Sequence, residues 1–341
     1  MRTPLYEIHR KRKARFTDFH GWDLPLQFRG IVEEVRAVRE RAGVFDISHM
    51  GRILVRGKKA LDILNGLLTN NLRKLEPGRV QYNLFTNEKG GVMDDVTVYM
   101  LSEEEFLICT NAVNREKIKR HLAEHLRVED ISPSTVQIAL QGRESEGILC
   151  GLFDVRDIRY YRFRTFGDVL ISRTGYTGED GFEIYAPVKE GVEIYEELLR
   201  FAEPCGLGAR DVLRIEAGFP LYGNEISEDI TPLEANLDRF VDLSKEFPGK
   251  EEMLKRPLRR KLFGLELEEK GVPRRGYRIL TGGREIGVVS SGTYSPTLRK
   301  GVALCFVDKT LRKEGLLVDL EVRGRLLKAQ LRSYPFVRVR R

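Results

Sequence analysis

Cysteine is scarce in this chain. Cys109, Cys150, Cys205 and Cys305 are the only four in 341 residues, and no two form a CxxC pair. Such spacing suits neither a zinc site nor a disulfide framework, so buried, reduced thiols in a cytoplasmic protein are expected. Long apolar runs are missing as well; none approaches the roughly 18 residues that cross a bilayer, and no membrane association is expected. The N-terminal stretch MRTPLYEIHRKRKARF is basic but has no apolar core. It therefore does not read as a secretory signal, and because its pattern flows into the folded region it does not read as a transit peptide. There is no HExxH, no GxGxxG, no Ser/His/Asp order and no metal-ligand spacing. Zinc, dinucleotide-fold and nucleophilic chemistry are thereby disfavoured, and no metal is expected. Only five glutamines accompany abundant Glu, Lys and Arg, a bias that resembles proteins of heat-loving organisms.

What is present is an ordinary globular mixture, 41% hydrophobic and 32% charged. At about 150 residues per domain the length suggests two domains, or three subdomains. Lys and Arg exceed Asp and Glu by 58 to 51, giving a net charge of +7. An excess of this sign could serve an acidic partner. The basic clusters His9–Arg15, Lys255–Lys261 and Val337–Arg341 are not interleaved with aromatics, so no nucleic-acid partner is expected.

Hydrophobic periodicity predicts an amphipathic helix over Ile31–Arg41, a strand over Val44–Met50, a strand over Ile53–Arg56 and a helix over Lys58–Thr69. Val80–Phe85 and Val92–Leu101 flank the turn Asn87–Gly91 as a hairpin. Glu105–Asn111 follows as a strand, then a helix over Arg115–Leu126. Alternation of this kind suggests an α+β unit of the split βαβ type. Farther on, strands are expected over Val136–Leu140, Tyr160–Arg164, Val169–Ser172 and Phe182–Ala186. Helices are expected around Glu144–Phe153 and Gly191–Ala202, and another capped by Asp211. Beyond a boundary near Lys255 the sequence reads as short strands: Leu262–Leu267, Tyr277–Leu280, Glu285–Ser291, Val302–Val307, Leu316–Val322 and Arg325–Leu331. A small antiparallel β-barrel is expected there. The expected domains are 1–254, holding two α+β subdomains with one including about 52–130, and 255–341.

The segment GGVMDDVTVYM, Gly90 to Met100, concentrates the chemistry. Successive side chains of a strand point to opposite faces. Asp95, Thr97 and Tyr99 thus share one face, and Asp94, Val96, Val98 and Met100 share an apolar, core-facing one. In a regular strand the two aspartates cannot be a close carboxylate pair. Two readings stay open: Asp95 lines an active-site wall, or both aspartates finish a turn by accepting backbone hydrogen bonds. A second segment, SRTGYTGEDGFEIY from Ser172, has three glycines but lacks the Lys-Ser/Thr of a phosphate loop and leads into a strand. There Glu183 and Tyr185 oppose Phe182 and Ile184, and Glu183 could accept two hydrogen bonds from a guanidine-like ligand edge. An exposed strand glutamate is the plain alternative. Arg210 could bind a carboxylate or form a structural ion pair. His49 and His20 are candidate bases or packing residues. Asn111 could reach a ligand or cap the helix after it.

Taken together, TPLYEIH, FHGWDLPLQF, GVFDISHMG, TNEKGGVMDDVTVY, SRTGYTGEDGFEIY, GLGARDVLRIEAG, TPLEANL and SGTYSPTL resemble the T-protein family of the glycine cleavage system. The resemblance runs in order along nearly the whole chain. It implies an α+β fold of three subdomains around a central folate site, the last being the C-terminal antiparallel β-barrel. It implies an aminomethyltransferase whose partners are the lipoylated H-protein and the other glycine cleavage components. Its co-substrate would be tetrahydrofolate, with lipoate supplied by the carrier; the products would be 5,10-methylenetetrahydrofolate, ammonia and the dihydrolipoyl carrier. In the family motif GG-x-x-DD the second aspartate is catalytic, here Asp95. Glu183 is similar to the glutamate that grips the pteridine, and Arg210 to a ligand-contacting arginine. Tyr176, Tyr99, Tyr82 and Asn111 fall at pocket positions.

Departures are few. The chain ends PFVRVRR without the aromatic residue that often follows PF, and Arg143 and Asn236 replace a frequent proline and a frequent glycine. Two alternatives remain beside the main reading. One is a folate-dependent demethylase or other one-carbon transferase using the same pocket. The other is a non-enzymatic folate-binding protein of the iron–sulfur or RNA-modification type. Those relatives carry a KGCYxGQE-like motif, whereas the corresponding AGFPLYGNEI here, Ala217 to Ile226, has no cysteine.

Overall fold

The computed structural model describes residues 1–339. They form two compact units, one of residues 1–85 and 94–210, the other of residues 86–93 and 211–339. Arg340 and Arg341 of the C-terminal basic cluster lie outside the described residues.

The first unit is built on two large sheets, with the two-stranded pair Arg15–Phe19 and Trp22–Gln27 as a third, smaller one. A five-stranded sheet runs in the order Val80–Thr86, Val92–Ser102, Glu105–Thr110, Gly51–Arg56, Arg127–Asp130. A six-stranded sheet runs Phe163–Phe166, Val169–Ser172, Gly181–Pro187, Thr135–Gln141, Gly43–Asp46, Glu203–Cys205. Period-2 alternation decides what each face meets. Phe182 and Ile184 join Val44, Ile138 and Leu140 in a core closed by Ile194, Tyr195 and Leu198 of the helix Val188–Leu198. Burying each such side chain contributes about 1.5–3 kcal/mol. The opposite face turns Tyr185, with Phe163 and Leu170, toward Tyr99, Leu107 and Cys109 of the five-stranded sheet. This inter-sheet space is where Glu183 is sent.

The second unit contains the expected barrel. Arg260–Leu267, Lys300–Asp308, Arg284–Ser295, Arg278–Thr281, Leu317–Val322 and Arg325–Arg332 close in that order into a six-stranded barrel. All its strand pairs are antiparallel. Leu265, Ala303, Cys305, Val307, Leu320 and Leu331 fill its core.

Four local expectations are corrected. The strand expected over Val44–Met50 stops at Asp46, because the Asp46 carboxylate accepts the Ser48 N–H at 2.9 Å and the chain turns at Ile47–Met50. The helix around Glu144–Phe153 is only Ser145–Leu149. The strand expected over Tyr160–Arg164 begins at Phe163, since Tyr161 has a φ of 59°. The helix that Asp211 was expected to cap starts earlier, at Leu207. Asp211 is a turn inside it and pairs with Arg214 at 2.8 Å.

The Gly90-Gly91 pair has a steric cause. Asn87 Oδ1 accepts the Lys89 and Gly91 N–H groups, and Asn87 Nδ2 donates to the Glu228 carbonyl at 3.0 Å. The turn is thereby held so close to 227–230 that a Cβ on Gly91 would sit 1.7 Å from the Glu228 oxygen. Gly90, at φ 76°, leaves similarly little room beside Met253. Gly91→Ala is expected to lower stability by about 1–3 kcal/mol through overpacking. A urea unfolding midpoint equal to wild type would contradict this account of the turn.

Candidate functional site

Within the first unit, the strand Val92–Ser102 carries both aspartates. Asp95 is half-buried; Asp94 is fully buried. Asp95 Oδ2 accepts the Tyr82 hydroxyl at 3.0 Å, and Asp95 Oδ1 accepts Asn111 Nδ2 at 2.7 Å. Asp94 is no turn residue. Its Oδ1 accepts Asn111 Nδ2 at 2.8 Å and Asn114 Nδ2 at 2.7 Å, and its Oδ2 accepts the Asn111 backbone N–H at 3.1 Å. The alternation of faces is as expected, but the inference that it separates the two carboxyl groups fails. A single amide, Asn111, binds both. Nor does the Asn111 side chain cap the following helical turn. Burial pushes both aspartates above the ordinary carboxylate range, Asp94 further still because of the Asp95 charge; the hydrogen bonds from Tyr82, Asn111 and Asn114 oppose the rise.

Glu183 is not an exposed strand residue: it is 8% exposed. Thr174 Oγ1 donates to its Oε2 at 2.7 Å, and the Tyr99 hydroxyl reaches the same oxygen at 3.5 Å. Tyr99 also bonds the Tyr185 hydroxyl at 2.8 Å, and Gln137 Nε2 donates to Tyr185 at 2.9 Å. Burial raises the Glu183 carboxyl, with Thr174 and then the Arg210 charge opposing it. Cys109, beside Gln137, is pushed up to about 11 by burial and then by the Glu183 charge, so its thiol is unreactive. All four cysteines are free.

Arg210 lies in the first turn of the helix Leu207–Glu216, with its guanidinium 4.8 Å from the Tyr176 ring centre. Its Nη1 is buried with no hydrogen-bond partner among the described residues. Burial depresses its proton affinity, and the Glu183 and Tyr176 charges restore part of it. The start of this helix is fixed by Glu34. Glu34 Oε1 accepts the Phe28 backbone N–H at 2.6 Å, while Oε2 accepts the Gly206 N–H at 2.9 Å. One buried carboxylate thus ties together the starts of two helices. Tyr82 connects the two ends of the site: burial raises its hydroxyl first, then Asp95, and Tyr176 adds to the rise.

His49 stands beside these groups. Residues 48–50 are held by Arg52, a wholly buried guanidinium that donates to the carbonyls of Ser48, Met50, Ser132 and Thr135 and to the Thr135 hydroxyl. Burial, and then the Arg210 charge, lower His49 to about 3, so it is neutral at physiological pH. Its Nδ1 has no partner among the described residues, and its ring packs edge-on to Phe19 and Trp22. His20 is exposed in the turn between Arg15–Phe19 and Trp22–Gln27. Among the described residues no group of His, Cys, Asp and Glu could hold a metal ion, and no helix is long and apolar enough to cross a membrane.

The geometry thus gathers Asp95, Tyr82, Asn111, Tyr99, Glu183, Arg210 and Tyr176 in one unit. It adds Asp94, Asn114, Thr174, Tyr185 and Gln137; of these Asp94 carried a sequence signal as the first aspartate of the paired motif, and Tyr185 through its shared face with Glu183. Such an array offers one half-exposed carboxyl for proton transfer, one fixed carboxylate as a hydrogen-bond acceptor, and one unpaired guanidinium donor.

Residues 5–245 match the GCVT N-terminal domain family, and residues 260–338 the glycine cleavage T-protein C-terminal barrel domain. The chain is 63% identical over 338 residues to an aminomethyltransferase of Aquifex aeolicus (strain VF5), covering 99% of this chain and 96% of that one. It is 43% identical to an aminomethyltransferase of Thermoanaerobacter sp. (strain X514), over 98% of this chain and 97% of the other. Among solved structures, glycine cleavage system aminomethyltransferase T from Bartonella henselae is similar with a TM-score of 0.95 at 34% identity, covering 100% of this chain and 99% of that one.

The depressed His49 has a measurable consequence. Below its ordinary value of 6.5 the unfolded chain takes up a proton that the folded protein refuses until about pH 3. Stability contributed at neutral pH is therefore lost as pH falls, by at most about 1.4 kcal/mol per pH unit. Relative to His49→Gln, the wild-type protein should lose stability between pH 6 and 4. Parallel stability–pH curves for the two proteins would refute the neutral buried imidazole.

Proposed function

Since the chain belongs to the glycine cleavage T-protein family of aminomethyltransferases, we propose that tetrahydrofolate is its co-substrate and the lipoyl arm of the H-protein its aminomethyl donor. The one-carbon unit passes to the folate, and ammonia and the dihydrolipoyl carrier are released. The observation that carries this reading is the pairing of a half-exposed Asp95 with a fixed, buried Glu183 in one unit. Glu183 accepts hydrogen bonds from the guanidine-like edge of the pteridine, its Oε2 being anchored by Thr174. Asp95 transfers the proton at the reacting folate nitrogen and stabilises the positive charge that develops beside it. Tyr82 and Asn111 hold the two oxygens of Asp95, while Arg210, 4.8 Å from the Tyr176 ring centre, offers its free Nη1 to an acidic or carbonyl group of the ligand.

The net charge of +7 favours an acidic carrier, and binding of that carrier then weakens with salt. Four free cysteines suit a reducing, cytoplasmic setting. The demethylase alternative draws on the same pocket and gains no observation of its own. A non-enzymatic role is disfavoured by family membership and by the cysteine-free AGFPLYGNEI segment.

Incubation with aminomethyl-loaded lipoyl carrier should release ammonia faster with tetrahydrofolate than without it; release that folate does not stimulate would sink this reading. Asp95→Asn should cut turnover by about 10²–10⁴-fold, the usual worth of a positioned acid or base, with folate binding retained. Glu183→Ala should instead weaken folate binding by about 1.5–3 kcal/mol, and an unchanged affinity would remove Glu183 from its role.

A further inference from the structure

Asp94 is the residue that strand alternation sends away from the site, yet it is tied to the site by one side chain. Asn111 Nδ2 lies 2.8 Å from Asp94 Oδ1, 2.7 Å from Asp95 Oδ1 and 3.2 Å from the Asp95 carbonyl oxygen. An amide nitrogen carries two hydrogens. With one given to each carboxyl group, the plane of the Asn111 amide is fixed by both. The other two donors to Asp94 lock it from behind: the Asn114 amide at 2.7 Å and the Asn111 backbone N–H at 3.1 Å. A structural carboxyl group needs no such connection to a half-exposed neighbour. Oxygens that each lie under 3 Å from one nitrogen are within about 6 Å of each other, the range in which like charges disturb one another's ionisation.

We propose that Asp94 is a positioning residue for the reaction at Asp95: through Asn111 it fixes the orientation of the Asp95 carboxyl group and places a second carboxyl directly behind it. The proposal rests on the assignment of Asp95 given above. Asp95 is faced by Tyr82 from the strand Val80–Thr86 and by Asn111 from the segment after Glu105–Thr110. Tyr176 and Tyr161 lie within electrostatic reach of Tyr82. Neither aspartate forms an ion pair within 4 Å among the described residues, so the repulsion between them is not neutralised by a cation. The two groups therefore titrate as a pair, and the pair holds a proton to higher pH than a lone carboxyl would.

Asp94→Asn and Asn111→Ala test this in the full-length protein by two readouts. The first is the Asp95 carboxyl resonance in the ligand-free protein, carrying ¹³C-labelled aspartate and assigned by its loss in Asp95→Asn. The second is the pH profile of folate-dependent ammonia release. In Asp94→Asn the second, higher-pH step seen by the Asp95 resonance, which follows ionisation of Asp94, should disappear, and the limb of the rate profile set by that upper step of the pair should move to lower pH by about one unit. kcat should fall about tenfold or more, with folate affinity within twofold of wild type. The Asp94→Asn/Asn111→Ala double variant should be no slower than the slower single variant, as for residues that act as one unit. A carboxyl titration and a rate profile that stay in place, with only thermal stability lowered, would make Asp94 a structural residue and overturn the proposal. If Asp94→Asn does not fold, Asn111→Ala decides by the same two readouts, and an unmoved profile with unchanged kcat overturns it. A wild-type protein that is inactive in the assay fails on function instead, while the carboxyl titration still reports on the pair.

Discussion

Three buried or half-buried carboxyl groups, Asp94, Asp95 and Glu183, are held by neutral donors, and the rest of the site follows from that constraint. Tyr82, Asn111, Asn114, Thr174 and Tyr99 supply the hydrogen bonds. Arg210 acts on Glu183 through space. A cation in direct contact would hold these carboxyl groups ionised and give their charge to a salt bridge. Neutral donors fix the oxygens in place while leaving their proton affinity high and their charge available to a ligand. The cost is desolvation, which is why each group requires two or more donors.

Fixing those donors requires a frame, and the frame is polar too. Arg52 spreads its charge over carbonyl and hydroxyl oxygens and so pins the segment 48–50 that carries His49. Glu34 joins the entry of the helix Ile31–Glu40 to that of the helix Leu207–Glu216, which carries Arg210. Asp46 binds Thr3, His9 and the Ser48 N–H; burial alone would raise it, but His9 and these donors bring it down to about 2. Each of these buried ionisable groups has its hydrogen bonds satisfied locally, and each would leave a costly orphan if its partner were removed. Rigidity of the site thus comes from side chains that touch no reacting group.

The barrel was legible in the sequence because period-2 alternation and turn residues are local signals, and all six expected strands are present within a few residues of their expected ends. The same alternation sorted Asp95 from Asp94 and Glu183 from Phe182. It could not show that Asn111, sixteen residues beyond Asp95, returns to bind both aspartates, because that contact depends on how the strand Glu105–Thr110 pairs with its neighbour. Arg52 is the clearest loss: in GRILV it resembles any strand-edge cation, and beside the nearby Ser48 and Met50 carbonyls its acceptors are Ser132 and Thr135, some 80 residues away. Asp211 misled for the opposite reason. It has the chemistry of a helix cap, but Glu34, far off in sequence, already fixes the start of that helix. Local signals gave the elements, and long-range polar contacts decided what the elements present to a ligand.

Asp95 and Glu183, held by neutral donors, are proposed to receive one and the same ligand. A crystal structure of the protein with tetrahydrofolate bound tests this most directly. The guanidine-like edge of the pteridine is expected within hydrogen-bond distance of Glu183 and a reacting folate nitrogen facing Asp95, with Asn111 and Tyr82 still bonded to that aspartate. A folate seated with either carboxyl group beyond about 4 Å of it, or with Asn111 turned away from both aspartates, would contradict that proposal.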